Sequence, residues 1–316
     1  MKNSLKFVFV FLVLINQSCS KNEVENNEVL DLKGNLQGSE ILIPDENFRN
    51  TLINTNCVDT NDDGISDTNV DLNNDGKIQK KEANSVEKLI LDFDYGVPAK
   101  FVDLKGIENF GNIKSLNISG RGGSLYYDEA LNEENLIYDF TALRKLEYLK
   151  IMYLATEYFD EINLSGLTKL VEVDLSQNRP MDYYSERNMF ITVNLDGCSN
   201  LTNLNIVNSF LRIDFCQITS LEKLNMMYLE GGEPEVFDFH CLSNLKWLNI
   251  SENMIDTLIL KNSSLLETFI YDDPYRDLEW MYPSPKIICI DDIPEELEQI
   301  TPLVGENTIV TTDCSF

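Results

Sequence analysis

Apolar residues recur from residue 86 onward in one spacing, Leu-x-x-Leu-x-apolar, along this chain of 316 residues. The spacing occurs at Val86-Leu89-Leu91, Ile113-Leu116-Ile118, Leu146-Leu149-Ile151, Leu170-Val173-Leu175, Leu201-Leu204-Ile206, Leu221-Leu224-Met226, Leu245-Leu248-Ile250 and Leu266-Phe269-Tyr271. A further large apolar residue stands six positions before six of these segments, at Phe140, Leu164, Leu195, Phe215, Phe239 and Leu260. Successive segments begin 20 to 33 residues apart, a period that indicates a solenoid of stacked turns.

The spacing predicts short strands that pair into a parallel ladder. One turn is too small to bury its own apolar edge, so the stacked turns are expected to share a core of aligned leucines. Neighbouring strands would lie about 4.8 Å apart, and eight of them would span about 34 Å. The turns differ in length through insertions at 120–139, 153–161, 177–192 and 230–235. Loops of this kind commonly contain the residues that bind a ligand. The side of the solenoid opposite the ladder is expected to be mostly irregular.

The first residues predict export from the cytoplasm. Lys2 and Lys6 accompany an apolar run at 7–15 that is too short to span a bilayer as a stable helix. A small residue then precedes Cys19, as in a bacterial lipoprotein cleavage site. We therefore expect a signal peptide at 1–18 and lipidation of Cys19, with an ordinary secretory signal as the alternative. Membrane attachment would depend on that lipid, because no later stretch is apolar enough to span a bilayer.

The remaining chain divides by composition into four regions. These are a polar, flexible tether at 19–39, an N-terminal cap at 40–85, the repeats at 86–290 and a C-terminal cap at 291–316. Within the N-terminal cap, Asp45 is placed to cap a helix over about 46–55.

The charge balance restricts the possible partners. The formal net charge is -28, from 53 acidic and 25 basic residues. Such a polyanion repels nucleic acid and anionic lipid, so neither is expected to bind. An excess of carboxylates favours hard cations such as calcium. The folded part is expected to be a monomer.

A twelve-residue segment at 71–82 matches a calcium-binding EF-hand loop at each diagnostic position. Its expected ligands are Asp71, Asn73, Asp75, the Lys77 carbonyl, Gln79 and Glu82. Gly76 permits the sharp turn, and Ile78 is expected to pack inward. Because the strand predicted at 86 leaves no room for a long exit helix, we expect a compact extracellular calcium loop with a dissociation constant of roughly 10⁻⁴ to 10⁻³ M.

The preceding twelve residues, 59–70, carry only the first half of the same signature. The candidate ligands are Asp59, Asn61, Asp63 and Asp67. The twelfth position is Val70, which has no ligand atom in its side chain. This loop is expected to share ligands with the second loop, to bind calcium weakly, or to bind none.

The repeat spacing over roughly 86–290 is that of the leucine-rich repeat. An Ile-Pro-Asp-x-Asn-Phe segment at 43–48 and the calcium-type loop precede the repeats, and Cys-Ile-Asp-Asp at 289–292 closes them. This layout resembles the leucine-rich-repeat surface lipoproteins of the Bacteroidetes group, and it is distantly similar to internalins. The resemblance implies an α/β leucine-rich-repeat solenoid, a right-handed superhelix with a parallel β ladder. It also implies a lipid-anchored protein of the cell surface or outer membrane that binds an extracellular protein or glycan.

Side chains alternate along each strand, so the positions between the leucines face outward on the ladder. Candidate ligand-binding residues on this face are Tyr148, Lys150, Asn205, Trp247 and Asn249. The alternative is that a polar ladder face only keeps the solenoid soluble. A second candidate surface consists of tyrosines in the insertions: Tyr126, Tyr127, Tyr158, Tyr183, Tyr184 and Tyr275.

The sequence offers little support for catalysis. The single histidine, His240, falls in a polar column and is expected to be an exposed turn residue. Its neighbour Cys241 is expected to point away from it, as adjacent side chains do on an extended chain. Phosphate-loop, GxSxG and HExxH motifs are absent. We therefore expect a non-enzymatic protein; a structural envelope spacer and a hydrolase with a carboxylate pair are the alternatives.

Six cysteines remain if Cys19 carries lipid. Outside the cytoplasm they can pair. A disulfide between Cys289 and Cys314 would staple the C-terminal cap, and one between Cys216 and Cys241 would join adjacent turns. Cys198 occupies an apolar column and is expected to be buried.

Overall fold

The structure is a computed structural model that describes residues 29–30, 36–93, 102–120, 136–154, 159–180, 189–229, 235–271 and 285–315. The chain divides into two compact units, residues 1–38 and 39–316. In the first unit, strands β1 (Val29–Leu30) and β2 (Leu36–Gln37) pair in antiparallel orientation. The segment expected to be a flexible tether therefore contains local β structure.

The second unit consists mainly of short strands. In chain order they are β3 (Lys88–Asp92), β4 (Ser115–Ser119), β5 (Leu136–Asp139), β6 (Tyr148–Met152), β7 (Phe159–Asn163), β8 (Glu172–Asp174), β9 (Ile191–Asn194), β10 (Asn203–Asn205), β11 (Leu211–Ile213), β12 (Lys223–Asn225), β13 (Glu235–Asp238), β14 (Trp247–Asn249), β15 (Ile255–Ile259), β16 (Thr268–Ile270), β17 (Ile287–Cys289) and β18 (Ile309–Thr311). Short 3₁₀ helices lie at Ile107–Asn109, Phe215–Gln217 and Thr301–Leu303.

Eight of these strands form one parallel ladder in the order β16-β14-β12-β10-β8-β6-β4-β3. Its register aligns the central apolar residue of every repeat: Leu89, Leu116, Leu149, Val173, Leu204, Leu224, Leu248 and Phe269. The fold is thus the predicted leucine-rich-repeat solenoid.

The aligned residues belong to one continuous hydrophobic core. That core runs from Ile43 in the N-terminal cap to Leu303 near the C-terminus, and most of its side chains are fully buried. Leu149, for example, has no exposed area. Truncating one of these leucines to alanine is expected to cost about 2–5 kcal/mol of unfolding free energy, because the rigid neighbouring turns cannot close the cavity.

The side opposite the ladder is more regular than expected. It contains two four-stranded parallel sheets, β11-β9-β7-β5 and β13-β15-β17-β18. Apolar residues alternate along these strands in a period of two, as at Tyr138/Phe140, Ile162/Leu164, Val193/Leu195, Phe237/Phe239 and Leu258/Leu260. This period buries one face of each strand, so segments interpreted from sequence as insertions in part form strands.

Two buried asparagine side chains form hydrogen bonds with backbone groups at the bends of two turns. The Asn178 side chain donates to the carbonyls of Ile151 (2.9 Å) and Leu175 (2.7 Å) and accepts from the Leu154 N–H (2.9 Å). Asn253 makes the corresponding bonds three turns later. Each amide thereby links backbone groups of two neighbouring turns through hydrogen bonds.

The N-terminal cap is attached to the first strand of the ladder. Helix α1 (Glu46–Asn54) begins at Asp45, whose Oδ1 accepts from the Phe48 N–H (2.8 Å), as predicted. Helix α2 (Lys80–Ala83) begins within the second acidic loop, at 71–82. Val58 forms an antiparallel bridge with Leu89 of β3, so the cap covers that edge of the ladder.

At the other end of the chain, helix α3 (Pro294–Ile300) follows β17. Strand β18 then pairs in parallel with β17. The C-terminal segment thus extends one of the four-stranded sheets.

Candidate functional site

The loop at 71–82 is folded around its own acidic side chains. Asp71 accepts hydrogen bonds from the N–H groups of Asp75 (3.1 Å) and Gly76 (2.8 Å). Asn73 Oδ1 accepts from the Asp75 N–H (2.8 Å), and Asp75 Oδ1 accepts from the Lys77 N–H (2.9 Å). These side chains occupy alternate positions, so their oxygens turn toward the inside of the loop.

Two residues of this loop adopt left-handed backbone conformations. Gly76 has φ +79°, and Asn74 has φ +57°. Glycine and asparagine tolerate this region better than other residues, which explains the Asn-Asp-Gly sequence at the bend.

Glu82 closes the loop from its far end. Its two carboxylate oxygens accept from the N–H groups of Asn73 (3.2 Å) and Gln79 (2.9 Å), and only 7% of the residue is exposed. Burial raises the pKa of the Glu82 carboxyl, and the nearby Asp71 charge adds to this, while hydrogen bonds from three backbone N–H groups oppose it. A partly desolvated carboxylate of this kind gains stability from a nearby cation.

The side chains of the remaining predicted ligands hydrogen-bond to one another. Asn73 Nδ2 donates to Gln79 Oε1 (2.9 Å), and Gln79 Nε2 donates to Asp75 Oδ2 (3.0 Å). The Lys77 ammonium points away and pairs with Glu40 (2.8 Å), while the buried Ile78 packs into the core.

The donor set of this loop fits calcium chemically. All the candidate ligand atoms are oxygens, and hard cations such as calcium prefer oxygen ligands. The carboxylates of Asp71, Asp75 and Glu82 do not all lie within 4.8 Å of one another.

The loop at 59–70 repeats the same turn without the closing carboxylate. Asp59 accepts from the Gly64 N–H (3.0 Å), as Asp71 does from Gly76, and Asn61 and Asp63 repeat the bonds of Asn73 and Asp75. Val70 is buried at the twelfth position. Asp67 accepts from the N–H (3.1 Å) and hydroxyl (2.8 Å) of Thr60.

This first loop contacts the ladder directly. Asp62 forms an ion pair with Lys88, the first residue of β3. The Ile90 N–H donates to the Cys57 carbonyl at 2.7 Å, and the Asp59 N–H donates to the Lys88 carbonyl at 3.3 Å. The first loop is therefore part of the contact between the cap and the repeats.

On the ladder face, three of the candidate residues form one patch with Asp174. Lys150 pairs with Asp174 (3.7 Å), and Asn205 Nδ2 donates to the same carboxylate (3.0 Å). Tyr148 lies on the same strand as Lys150, and its pKa is raised by burial and by the charges of Asp174 and Glu172. We call Tyr148, Lys150, Asp174 and Asn205 the tyrosine patch.

A separate patch surrounds Trp247 on β14. The Lys223 ammonium lies 4.8 Å from the Trp247 ring centroid, a cation–π contact. We call Lys223 and Trp247 the tryptophan patch. Asn249 contributes little surface, because only 9% of it is exposed and its Oδ1 accepts from the Ser251 N–H (3.0 Å) to end the strand. Tyr148 and Trp247 lie four strands apart, about 19 Å, so the structure does not bring the two aromatics together.

The structure contains two disulfides, Cys216–Cys241 and Cys289–Cys314, while Cys57 and Cys198 are buried thiols. His240 is exposed in a turn, as expected, but its expected separation from Cys241 is wrong. His240 Nε2 lies 3.1 Å from Cys241 Sγ. The two residues lie in a turn after β13, where neighbouring side chains converge, rather than on an extended strand.

Several predicted features lie outside the described residues. They are Cys19 and the insertion tyrosines Tyr126, Tyr127, Tyr158, Tyr183, Tyr184 and Tyr275. In the described part of the chain, we found no helix with the length and apolar character needed to cross a membrane.

Comparisons with known proteins give distant similarities. No family model matches the chain. A telomerase component of Tetrahymena thermophila, p95, is 24% identical over 239 residues, which cover 69% of this chain and 26% of that protein. The chain thus spans about a quarter of the length of this curated relative.

Among solved structures, internalin C2 of Listeria monocytogenes is 16% identical, with a TM-score of 0.33 over 73% of this chain and 93% of that chain. The internalin inlF of the same species is 16% identical, with a TM-score of 0.22 over 85% and 88% of the two chains. Internalins, to which the sequence shows a distant similarity, are therefore among the solved structures similar to this chain. The fold assignment itself depends on the eight-stranded ladder.

Proposed function

We propose that this protein is an extracellular binding module, a monomer held at the cell surface by a lipid on Cys19. Its leucine-rich repeats present a ligand-binding face to an extracellular protein or glycan. A calcium ion in the loop at 71–82 holds the N-terminal cap on the repeats. No enzymatic activity is part of this proposal.

The observation that carries the binding role is the tryptophan patch on the rigid ladder. Trp247 and Lys223 stand at outward positions on neighbouring strands, so the indole is partly accessible and already oriented by the ammonium group above it. Tryptophan side chains of this kind contribute strongly to binding because they bury a large area and lose little conformational entropy. A rigid strand also keeps the ordering cost of binding low.

A binding screen tests this role. The unit at 39–316 would be screened against arrays of extracellular proteins and of glycans, and the captured ligand would be retested with Trp247→Ala. We expect the variant to weaken binding by about tenfold or more. Thr268→Ala is the matched control, since Thr268 is the exposed neighbour of Trp247 in the ladder register. Unchanged capture by Trp247→Ala would instead place the site elsewhere on the surface.

The calcium role is supported by the oxygen donors of the loop and by the attachment of the cap. Val58 and the Asp62–Lys88 pair join the cap to β3, close to the two loops. A cation that fixes the loop at 71–82 would stabilise this junction. Thermal melting of the 39–316 unit with calcium and with a chelator tests the role, and identical melting curves would contradict it.

The anchor is a separate proposal that follows from the sequence before Cys19. Radioactive fatty acid should label the full chain but not a Cys19→Ser variant. Labelling of both, or of neither, would contradict lipidation at this residue.

A structural spacer is the second candidate, and the separation of the aromatic residues favours it. A single ligand site would concentrate its anchoring residues, whereas Tyr148 and Trp247 lie four strands apart. A spacer would show no array hits, and its removal would alter the spacing of the cell envelope in electron micrographs. A specific, Trp247-dependent ligand would contradict it.

A further inference from the structure

The two disulfides form a matched pair within one molecule. Each joins cysteines separated by 25 residues, so the entropy lost on closing the two loops is nearly the same. Any difference in their reactivity toward thiols must therefore come mainly from their surroundings.

The surroundings of Cys289–Cys314 protect the Cys289 half of this disulfide, while Cys314 is partly exposed. Cys289 is the last residue of β17 and has no exposed area, and β18 pairs along that strand. Its sulfur is therefore hidden from a thiol in solution. No imidazole can assist there, because His240 is the only histidine in the chain and lies beside the other disulfide.

Cys216–Cys241 lies in the opposite kind of environment. Cys216 is exposed, and Cys241 is partly exposed. His240 Nε2 lies 3.1 Å from Cys241 Sγ and 3.9 Å from Cys216 Sγ. On the other side of the ring, His240 Nδ1 lies 2.8 Å from Asp238 Oδ1. Cys216, His240 and Cys241 each offer one donor atom, and these three atoms lie within 4.8 Å of one another. Among described residues, no other three His, Cys, Asp or Glu side chains do so.

Two equivalent turns build this cluster. Asp214 Oδ1 accepts from the Cys216 N–H (2.9 Å) in the turn after β11, and Asp238 Oδ1 accepts from the His240 N–H (3.0 Å) in the turn after β13. Both are side-chain-capped turns of the same kind. The resulting cluster contains a disulfide, an imidazole beside one of its sulfurs and a carboxylate that orients the imidazole.

We propose that Cys216–Cys241 is a thiol-exchange site that reacts with small thiols, with Cys216 as the sulfur attacked and Cys241 as the leaving group. This role is distinct from the proposed binding function. The choice between the sulfurs follows from two observations: Cys216 is the more exposed residue, and His240 lies closer to the Cys241 sulfur.

In the first step the incoming thiol loses its proton to solvent or to His240 Nε2. Its sulfur forms a bond to Cys216 Sγ, and the Cys216–Cys241 bond breaks. The electron pair of that bond goes to Cys241 Sγ, which takes up a proton through His240. The products are a mixed disulfide on Cys216 and a free Cys241 thiol. A second small thiol then attacks the sulfur of the first small thiol in this mixed disulfide. Cys216 is released as a thiol, and the two small thiols leave joined as a disulfide. Asp238 acts as a positioning residue, because its carboxylate fixes the ring with Nε2 toward the sulfurs.

Differential alkylation of the full chain measures the two disulfides at the same time. The native protein would be exposed to cysteamine, quenched with iodoacetamide at intervals and mapped by peptide mass spectrometry. We expect Cys216–Cys241 to open about tenfold or more faster than Cys289–Cys314. The early product should carry cysteamine on Cys216 and the alkyl label on Cys241. Equal opening rates, or cysteamine mainly on Cys241, would overturn the proposal.

The His240→Gln variant tests the role of the imidazole. We expect opening of Cys216–Cys241 to slow by about tenfold, while the rate at Cys289–Cys314 stays the same. Asp238→Asn, which keeps the turn-forming side-chain oxygen, should slow the opening of Cys216–Cys241 to a smaller extent. An unchanged rate in His240→Gln, or a parallel change at both disulfides, would overturn the role assigned to His240.

Discussion

The two acidic loops of the N-terminal cap differ mainly at the residues that close them. Loops 59–70 and 71–82 share aspartate, asparagine, aspartate and glycine at the same positions, and their hydrogen bonds repeat. Gly64 has φ +83° and Gly76 has φ +79°. The shape of the turn therefore follows from its first six residues and does not depend on the twelfth.

The closing residues separate the two loops in chemistry. Val70 packs into the core, whereas Glu82 places a carboxylate against the inside of its loop. The first loop instead contacts the ladder through Asp62 and Lys88. We infer that the same turn serves as a structural connection in one copy and as a cation site in the other.

The largest effect is expected when the second loop loses its closing charge. If the dissociation constant is about 10⁻⁴ M, calcium at a hundredfold excess should stabilise the protein by about 2.7 kcal/mol. Glu82→Gln keeps a hydrogen-bond acceptor but removes the charge, so most of this stabilisation should disappear. Thermal melting with calcium and with chelator measures the difference.

Glu87→Gln is the control for this experiment. It removes an exposed carboxylate that pairs with Lys114, outside both loops. The calcium-induced shift should survive in this variant. A Glu82→Gln protein that keeps the full shift would show that Glu82 is not a ligand.

The converse substitution, Val70→Glu, should make the first loop resemble the second. Val70 is buried, and burial favours the neutral form of an unpaired carboxyl group, so the substitution should cost about 1–3 kcal/mol in the presence of chelator. Calcium should recover part of that loss, and titration calorimetry should report one additional bound ion. Val70→Gln is the neutral comparison, and equal calcium responses of the two variants would contradict a latent site.

The dependence of the melting temperature on pH distinguishes the two loops in a third way, because only the second loop has a buried closing carboxyl. The raised pKa of Glu82 means that the folded state favours the protonated form. In chelator, this preference stabilises the protein below the ordinary glutamate pKa, and the contribution is lost as pH rises through the raised value. The melting temperature of the wild type should therefore fall relative to Glu82→Gln as the pH rises above the ordinary glutamate pKa of about 4.3. A difference that stays constant as the pH rises would contradict the buried carboxyl.

Much of this architecture was predictable from residue spacing. The leucine register determined the eight-stranded ladder, because a fixed phase of large apolar residues can be buried in only one way when turns stack. The helix cap at Asp45 and the turns of the two twelve-residue loops were equally predictable, because capping and loop turns depend on residues that are close in sequence. The two four-stranded sheets were missed, although the alternation at Val193 and Leu195 was a visible signal.

Side-chain clusters between turns were harder to predict. The contact of His240 with Cys241 depends on a local turn that rotates both side chains to one side, and sequence spacing suggested the opposite. The burial of Asn249 depends on neighbouring strands and on its bond to Ser251. The first contact is set by the geometry of a turn and the second by tertiary packing, and a periodic pattern encodes neither.

The smallest expected effect comes from the two glycines that the loops share. A Cβ at Gly64 or Gly76 would meet no atom within 4 Å, so alanine at either position should cost only backbone strain, about 1 kcal/mol. In chelator the two variants should therefore melt alike. In calcium, Gly76→Ala should lose further stability because its strained turn carries the ligands, whereas Gly64→Ala should respond to calcium like the wild type. Asparagine tolerates the left-handed region, so Gly76→Asn should restore part of the loss. Equal calcium responses of Gly64→Ala and Gly76→Ala would mean that the two turns bind calcium equally, or that neither does.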